Sequence, residues 1–197
     1  MKQPNDRISE ILLFIQPYME ERFQESCRQM QIDIEKNGHA IWRDLQGEMN
    51  KLLSYIDKMQ KDHMKNKIKY LVCSFSRYSH YLGKLDFYIN AQDEGFYLDE
   101  QKTGTYYCPQ FLQKPYSEDI NYLHMKAAEK FMRIQAHELF DVNEEYIKFY
   151  YSVMYKMLGS VSELIMETIE KSGILIADDL KIIYGEYMDK ATILYTK

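Results

Sequence analysis

The regular spacing of apolar side chains constrains the fold of this chain more than any other feature. In the first sixty residues these side chains recur at every third or fourth position, in two runs separated by Asn37-Gly38. That spacing places them on one face of an α-helix, and that face must be buried. Because glycine readily adopts the left-handed conformation that ends a helix, the pattern predicts two helices packed as an antiparallel hairpin, with a kink at Pro17. The two runs are Ile8, Leu12, Ile15, Met19, Phe23, Cys27, Met30 and Ile34, then Ile41, Leu45, Met49, Leu52, Ile56 and Met59.

Two further helices are predicted in the second half of the chain. One begins with a cap at Ser117 and runs to about Phe140, and the other covers residues 143–171 after an Asp141-x-x-Glu144 capping box. The helix over 143–171 is apolar on more than one side, which indicates a central element of the core. Its apolar positions are Ile147, Tyr150, Met154, Leu158, Val161, Ile165 and Ile169.

The clearest strand signal lies near residues 84–99. Two short runs with alternating apolar residues flank an acidic turn that ends in Gly95, which predicts an antiparallel β-hairpin. The apolar members are Leu85, Phe87 and Ile89 in the first run, and Phe96 and Leu98 in the second. A third strand at residues 105–108 remains an open alternative.

Three other segments carry weaker signals. Residues 67–81 fit either a helix or a strand, and we favour a helix that closes at Gly83. A short helix is expected near residues 179–184. The run Thr192 to Tyr195 has the composition of a strand.

Together these elements predict a mainly α fold of the α+β class. It is a bundle of about five helices with a small antiparallel β-hairpin near residues 84–99. With 8 glycines and 4 prolines, the 197-residue chain has too few turn formers for an all-β fold. We expect a single domain over residues 1–197, with a possible division into a helical hairpin arm (1–64) and a helical body with the β-hairpin (66–197).

Charge and composition limit the partners that we expect. The chain carries 25 basic and 30 acidic residues, a net charge of −5, which disfavours nucleic acid as a partner. No apolar run approaches the ~18 residues of a membrane span, and the N-terminus does not resemble a secretory signal. The three widely spaced cysteines, Cys27, Cys73 and Cys108, are typical of reduced thiols. We therefore expect a soluble cytoplasmic protein without a membrane or nucleic-acid partner.

The motifs that usually identify a cofactor or a metal site are incomplete in this sequence. His137-Glu138 begins like a HExxH zinc helix, but Asp141 stands where the second histidine belongs. Neither GxxxxGK[ST] nor GxGxxG occurs, and no GxSxG nucleophile motif is present. We predict no cofactor and no metal.

His137, Glu138 and Tyr150 are the candidate site residues. If the helices over 117–140 and 143–171 pack antiparallel, a buried Glu138 carboxylate would lie near tyrosine hydroxyls and near His137, where it could act as a general base. A hydrogen-bonded structural role at a helix end is the favoured interpretation of the same residue.

The acidic residues around the predicted hairpin allow two interpretations. A solvated turn is the default, and recognition of a basic partner is the alternative. The residues are Asp86, Asp93, Glu94, Asp99 and Glu100.

Two functional hypotheses follow from these patterns. The first is a non-catalytic binding or regulatory module that contacts a protein partner, or a second copy of itself, through helices 1 and 2 of the N-terminal hairpin. The second is a small-ligand-binding protein or enzyme that uses a tyrosine-lined pocket between the helices over 117–140 and 143–171.

Overall fold

The computed structural model describes residues 4–76 and 78–197, with side chains from Arg7 onward. Within these residues the fold is α+β, with four α-helices and a five-stranded mixed sheet. The helix count is therefore below the predicted five, and the sheet is larger than a hairpin. The elements are α1 (Pro4–Lys61), β1 (Ile68–Phe75), α2 (Ser79–Leu82), β2 (Phe87–Gln92), β3 (Thr103–Tyr107), α3 (Gln110–Lys130), α4 (Ala136–Ser172), β4 (Ile176–Glu186) and β5 (Ala191–Thr196).

Helix α1 is continuous through Asn37-Gly38, so the predicted helical hairpin of residues 1–64 is wrong. Gly38 does not adopt a positive φ angle. Glycine permits a helix end but does not require one, and its cost inside a helix is only about 1 kcal/mol. The two apolar runs flanking it continue one helical pattern, and that cost is small beside their burial.

The sheet has the strand order β3-β2-β1-β4-β5. Strand β1 is central, antiparallel to β2 and parallel to β4. The helix favoured for residues 67–81 is therefore wrong over Ile68–Phe75, although a short helix does end at Gly83. A central strand with both faces buried loses the polar alternation that identifies a strand, and its apolar run then resembles a helix.

The predicted hairpin is present, but its second strand is Thr103–Tyr107 and not the run that contains Phe96 and Leu98. Strand β2 pairs antiparallel with β3, whereas Phe96–Leu98 forms a single 3-10 turn in the connecting loop. The open alternative of a strand near residues 105–108 corresponds to β3. In the tail, β5 confirms the predicted strand, whereas residues 179–184 lie in β4 and not in a helix.

The long helices of the second half differ from the prediction at their ends. Helix α3 starts seven residues before Ser117, at Gln110, and ends at Lys130. Helix α4 starts at Ala136, so Asp141 and Glu144 lie inside it and do not form a cap. Most of the predicted apolar positions of α4 are buried: Ile147, Tyr150, Met154, Leu158, Ile165 and Ile169.

The chain divides into two compact units, each made of three segments. One consists of Met1–Gly38, Tyr78–Leu85 and Gln110–Ser152, and we call it the helical unit. The other consists of His39–Arg77, Asp86–Pro109 and Val153–Lys197 and contains the five strands; we call it the sheet unit. The single-domain organisation and the alternative boundary near residue 65 stay predictions. No described helix has an apolar stretch long enough to cross a bilayer.

Candidate functional site

The structure does not bring the three predicted site residues together. Glu138 is buried at the start of α4, where its carboxylate accepts hydrogen bonds from Arg7 Nε (2.5 Å) and from the Gln135 amide (2.7 Å). His137 is exposed. Tyr150 lies twelve residues further along the same helix, a distance of roughly 18 Å along the axis. The partners of Glu138 therefore favour the structural interpretation, in which the carboxylate caps a helix end.

Glu138 gives a prediction on pH dependence. Burial alone would raise its pKa, but the Gln135 amide and the Arg7 guanidinium outweigh burial, and the net pKa is lowered from 4.5. A carboxyl with a lower pKa in the folded state stabilises the fold above its unfolded pKa, and loses that effect as the pH falls through the folded pKa. We therefore expect Glu138→Gln to cost about 1 kcal/mol at pH 7 and progressively less below about pH 4.5.

Urea unfolding from pH 7 to pH 3 measures this difference. Glu144→Gln is the matched control, because Glu144 is exposed on the same helix. A constant difference between wild type and Glu138→Gln over this range would contradict the prediction.

The tyrosines of the predicted pocket surround a buried carboxylate, Asp119 of α3. Its Oδ1 accepts two hydrogen bonds from Arg22, at 3.0 and 2.8 Å. Its Oδ2 accepts hydrogen bonds from Ser26 (2.6 Å), Tyr146 (2.5 Å) and Tyr150 (2.9 Å). The space next to these tyrosines is thus occupied by the protein's own groups, and we call them the Asp119 cluster.

The Asp119 cluster has the chemistry of a structural site. Burial, the neighbouring Tyr150 and the Asp119 carboxylate all raise the pKa of Tyr146, so this hydroxyl remains protonated and acts as a donor. Asp119 was not among the residues predicted from the sequence. The sequence pattern that could have identified Asp119 is a charged residue at a buried position of an apolar helical stripe. The buried positions of this stripe are Leu112, Tyr116, Asp119, Leu123 and Ala127.

A different site lies in the sheet unit, over one face of β2 and β3. Side chains alternate along β2, so Phe87, Ile89 and Ala91 belong to the apolar core while Tyr88 and two amide residues line a cavity on the other face. We call this cavity the aromatic pocket. Its lining residues are Tyr88, Asn90, Gln92, Phe96, Tyr97, Asp99, Lys102, Thr103, Tyr187 and Met188.

Two buried amide oxygens distinguish the aromatic pocket. Asn90 is 5% exposed and Gln92 is 9% exposed. Asn90 Oδ1 and Gln92 Oε1 are buried, yet neither has a hydrogen-bond partner within residues 4–76 and 78–197. An unpaired buried acceptor typically costs about 1–3 kcal/mol, a cost that an ordered water or a bound ligand donating into the cavity offsets.

Glycine shapes one wall of the pocket. Gly104 of β3 is paired with Asn90 of β2, and a Cβ atom at position 104 would overlap the Tyr88 ring. The missing side chain lets this ring extend over β3, where it contacts the rings of Tyr106 (5.0 Å between centroids) and Tyr187 (6.2 Å). Burial and these two neighbours raise the pKa of Tyr88, which therefore lines the pocket as a neutral phenol.

A buried ion pair fixes the loop between β2 and β3. Lys65 is ion-paired with Asp99, and their side chains are 0% and 4% exposed. The Asp99 carboxylate also accepts hydrogen bonds from the backbone amides of Asp93 and Gln101, both at 3.0 Å. These bonds hold Phe96, whose φ of 54° is unusual for a non-glycine residue, with its ring 4.8 Å from that of Tyr70.

A much larger cleft of about 1130 Å³ lies in the same unit, and Asp99 and neighbouring loop residues line it as well. Its walls carry more acidic than basic side chains. The acidic ones are Asp93, Glu94, Asp99, Glu100, Asp178 and Asp179, and the basic ones are His63, Lys67 and Lys69. We call it the acidic cleft. Four of the five acidic residues around the predicted hairpin line it, and Asp86 does not.

No family model matches this chain. No curated protein and no solved structure matches it either. Among the residues that the structure describes, no group of three or more His, Cys, Asp or Glu is arranged to hold a metal ion. The function must therefore be inferred from the geometry of the pocket itself.

Proposed function

We propose that this protein is a non-catalytic binding module whose ligand occupies the aromatic pocket of the sheet unit. The observation that carries this proposal is the pair of buried, unpaired acceptors, Asn90 Oδ1 and Gln92 Oε1. Ligand sites typically combine apolar and aromatic walls with a few well-placed polar groups; the aromatic pocket has this composition, and its interior of about 20 Å³ admits a single end group of a ligand.

The side chains at the pocket support binding in preference to catalysis. Amides neither titrate nor act as nucleophiles in ordinary enzyme mechanisms. The carboxylate in the wall, that of Asp99, is already neutralised by Lys65 and bonded to two backbone amides. Recognition of a ligand by hydrogen bonding is the chemistry that these groups offer.

The other proposals from the sequence have weaker support. Tyr146 and Tyr150 donate to Asp119, so a tyrosine-lined ligand pocket beside α4 has little room in the helical unit. The predicted helices 1 and 2 form the single helix α1. Contact with a protein partner, or self-association, through this helix stays a prediction. The exposed apolar residues of α1 are scattered single side chains, which are normal on protein surfaces: Leu13, Ile32, Ile34 and Tyr55.

Nuclear magnetic resonance tests the proposed pocket. The full chain, labelled with ¹⁵N, is titrated with a small set of fragments that includes amines, alcohols, amides and carboxylates. We expect at least one class to shift the side-chain amide signals of both Asn90 and Gln92. If no fragment of any class moves these signals, the proposed function is wrong.

The variant Asn90→Leu makes this test specific. Because leucine has a similar shape and removes an unpaired acceptor, the variant should be at least as stable as the wild type and should lose fragment binding. Gln31→Leu, at an exposed position of α1, is the control and should bind as the wild type does. Fragment shifts that persist unchanged in Asn90→Leu would place the binding elsewhere.

A further inference from the structure

We infer that the group bound between Asn90 and Gln92 is the ammonium end of an alkylamine. This inference rests on the proposed function, because it names the ligand of the same pocket. Three properties of the pocket support it: its volume, the direction of its hydrogen bonds, and its aromatic walls.

The volume of the pocket sets the size of the group that enters it. The interior of the aromatic pocket is about 20 Å³, which is the space that one water-sized group requires. An ammonium group has this size. A guanidinium or a planar amide has several heavy atoms at its end and is too large for the described cavity.

The hydrogen-bonding character of the pocket selects a donor. Asn90 Oδ1 and Gln92 Oε1 are both acceptors. The nearby hydroxyl of Thr103 donates to the Ala91 carbonyl (2.8 Å). An alkylammonium presents three donors and no acceptor, so it can donate to these unpaired amide oxygens. A carboxylate or phosphate could bind only if both amides rotated by about 180° to present their NH2 groups.

The surroundings of the pocket favour a cation. Its walls carry the aromatic rings of Tyr88, Phe96, Tyr97 and Tyr187, and such rings attract ammonium ions through their electron-rich faces. Asp99 also lines the pocket, but Lys65 balances its charge, so the aromatic rings provide the attraction for a cation.

Lys102 places an opposing charge in the pocket wall. Its ammonium repels a cationic ligand and so weakens binding. Replacing it with methionine removes the repulsion and keeps most of the side-chain volume. The variant Lys102→Met should therefore bind an alkylamine more tightly than the wild type, which is the opposite of the result expected for an anionic ligand.

The alkyl chain behind the ammonium has apolar neighbours at the mouth of the pocket. Tyr187 and Met188, in the turn between β4 and β5, are both exposed and line the pocket. A free alkylamine and a lysine side chain of a peptide offer the same chemistry here, namely an ammonium on a flexible hydrocarbon stem. Both sources are included in the test.

The test compares three probes of nearly equal size on the full chain: n-butylammonium, 1-butanol and butyrate. Binding is measured at pH 7 from the side-chain amide shifts of Asn90 and Gln92. We expect n-butylammonium to bind about tenfold more tightly than 1-butanol, and butyrate not to bind. Asn90→Leu and Gln92→Leu should each abolish the n-butylammonium shifts, and Lys102→Met should strengthen binding several-fold.

A control variant separates the aromatic pocket from the acidic cleft. Asp178 lines the cleft and not the pocket, so Asp178→Asn should leave n-butylammonium binding within about twofold of wild type, since screening by salt weakens distant charges. Loss of binding in Asp178→Asn would place the amine in the cleft and overturn the inference.

The remaining outcomes separate the inference from the proposed function. If 1-butanol binds as tightly as n-butylammonium, the ammonium assignment is wrong while the pocket stays a binding site. If none of the probes or fragments shifts Asn90 and Gln92, both proposals fail. A capped pentapeptide, Ala-Ala-Lys-Ala-Ala, shows whether the ammonium belongs to a peptide lysine or to a free amine. Binding of the peptide supports a peptide lysine. If n-butylammonium binds and the peptide does not, the ligand is a free amine.

Discussion

Replacing Asp119 with alanine is expected to lower the free energy of unfolding of the helical unit by about 3–5 kcal/mol. The carboxylate is fully buried and accepts five hydrogen bonds, from Arg22, Ser26, Tyr146 and Tyr150. Without it, the Arg22 charge loses its partner and three hydroxyl groups lose their acceptor. Unpaired buried groups of this kind are among the few causes of so large a loss.

Urea unfolding followed by circular dichroism measures this effect. Glu129→Ala is the matched control on the same helix, because Glu129 forms an exposed ion pair with Lys126 and should cost less than about 1 kcal/mol. Tyr146→Phe removes one donor from the Asp119 cluster and should fall between the two, at about 1–2 kcal/mol. An Asp119→Ala protein as stable as the control would show that the Asp119 cluster does not hold the helical unit together.

Replacing Lys65 with methionine should destabilise the sheet unit by a comparable amount, about 3–5 kcal/mol. The methionine preserves most of the side-chain volume but leaves the buried carboxylate of Asp99 without a counter-charge. Lys65 Nζ also donates to the Gln101 carbonyl (2.6 Å), so the loop between β2 and β3 loses two attachments at once. We expect the loss of hydrogen-exchange protection to be greatest in this loop.

A double variant separates the effect of the unpaired Asp99 charge from the effect of losing the lysine side chain. Lys65→Met with Asp99→Asn removes both charges and keeps an amide oxygen that can accept from the loop amides, so it should be more stable than Lys65→Met alone, because no buried charge is left unpaired. Lys61→Met is the control, since Lys61 forms an exposed pair with Asp57 and should cost less than about 1 kcal/mol. Equal stability of the single and double variants would contradict the role assigned to the buried pair.

The stability of this loop also matters for the proposed binding. Asp99 lines the aromatic pocket and is bonded to Lys65 and to two backbone amides of the loop. The same loop contributes two of the four aromatic rings in the pocket wall, those of Phe96 and Tyr97. A binding site whose wall is fixed by a buried ion pair needs less ordering when the ligand enters, and such preorganisation favours affinity.

Local sequence patterns predicted the parts of this protein that depend on residues close along the chain. The apolar stripe of α1 and the buried face of α4 follow from the spacing of their apolar residues, and glycine chemistry predicted the helix end at Gly83. The terminal strand β5 follows from its β-branched and aromatic residues. The burial of Glu138 follows from its place beyond an apolar stripe, although its partner Arg7 is 131 positions away in the sequence and could not be predicted.

Pairing between distant segments decided which residues form the central strand and where the aromatic pocket lies. Whether Ile68–Phe75 is a strand depends on β4, more than a hundred residues later, because both faces of a central strand become buried only when its neighbours are in place. The aromatic pocket arises for the same reason: β2, the loop before β3 and the turn after β4 meet only when the sheet forms. The sequence by itself determined the buried faces of the long helices and the strands β2 and β5, since periodicity and composition are local. The tertiary structure alone decided which strands pair, and so brought two buried amides into one cavity.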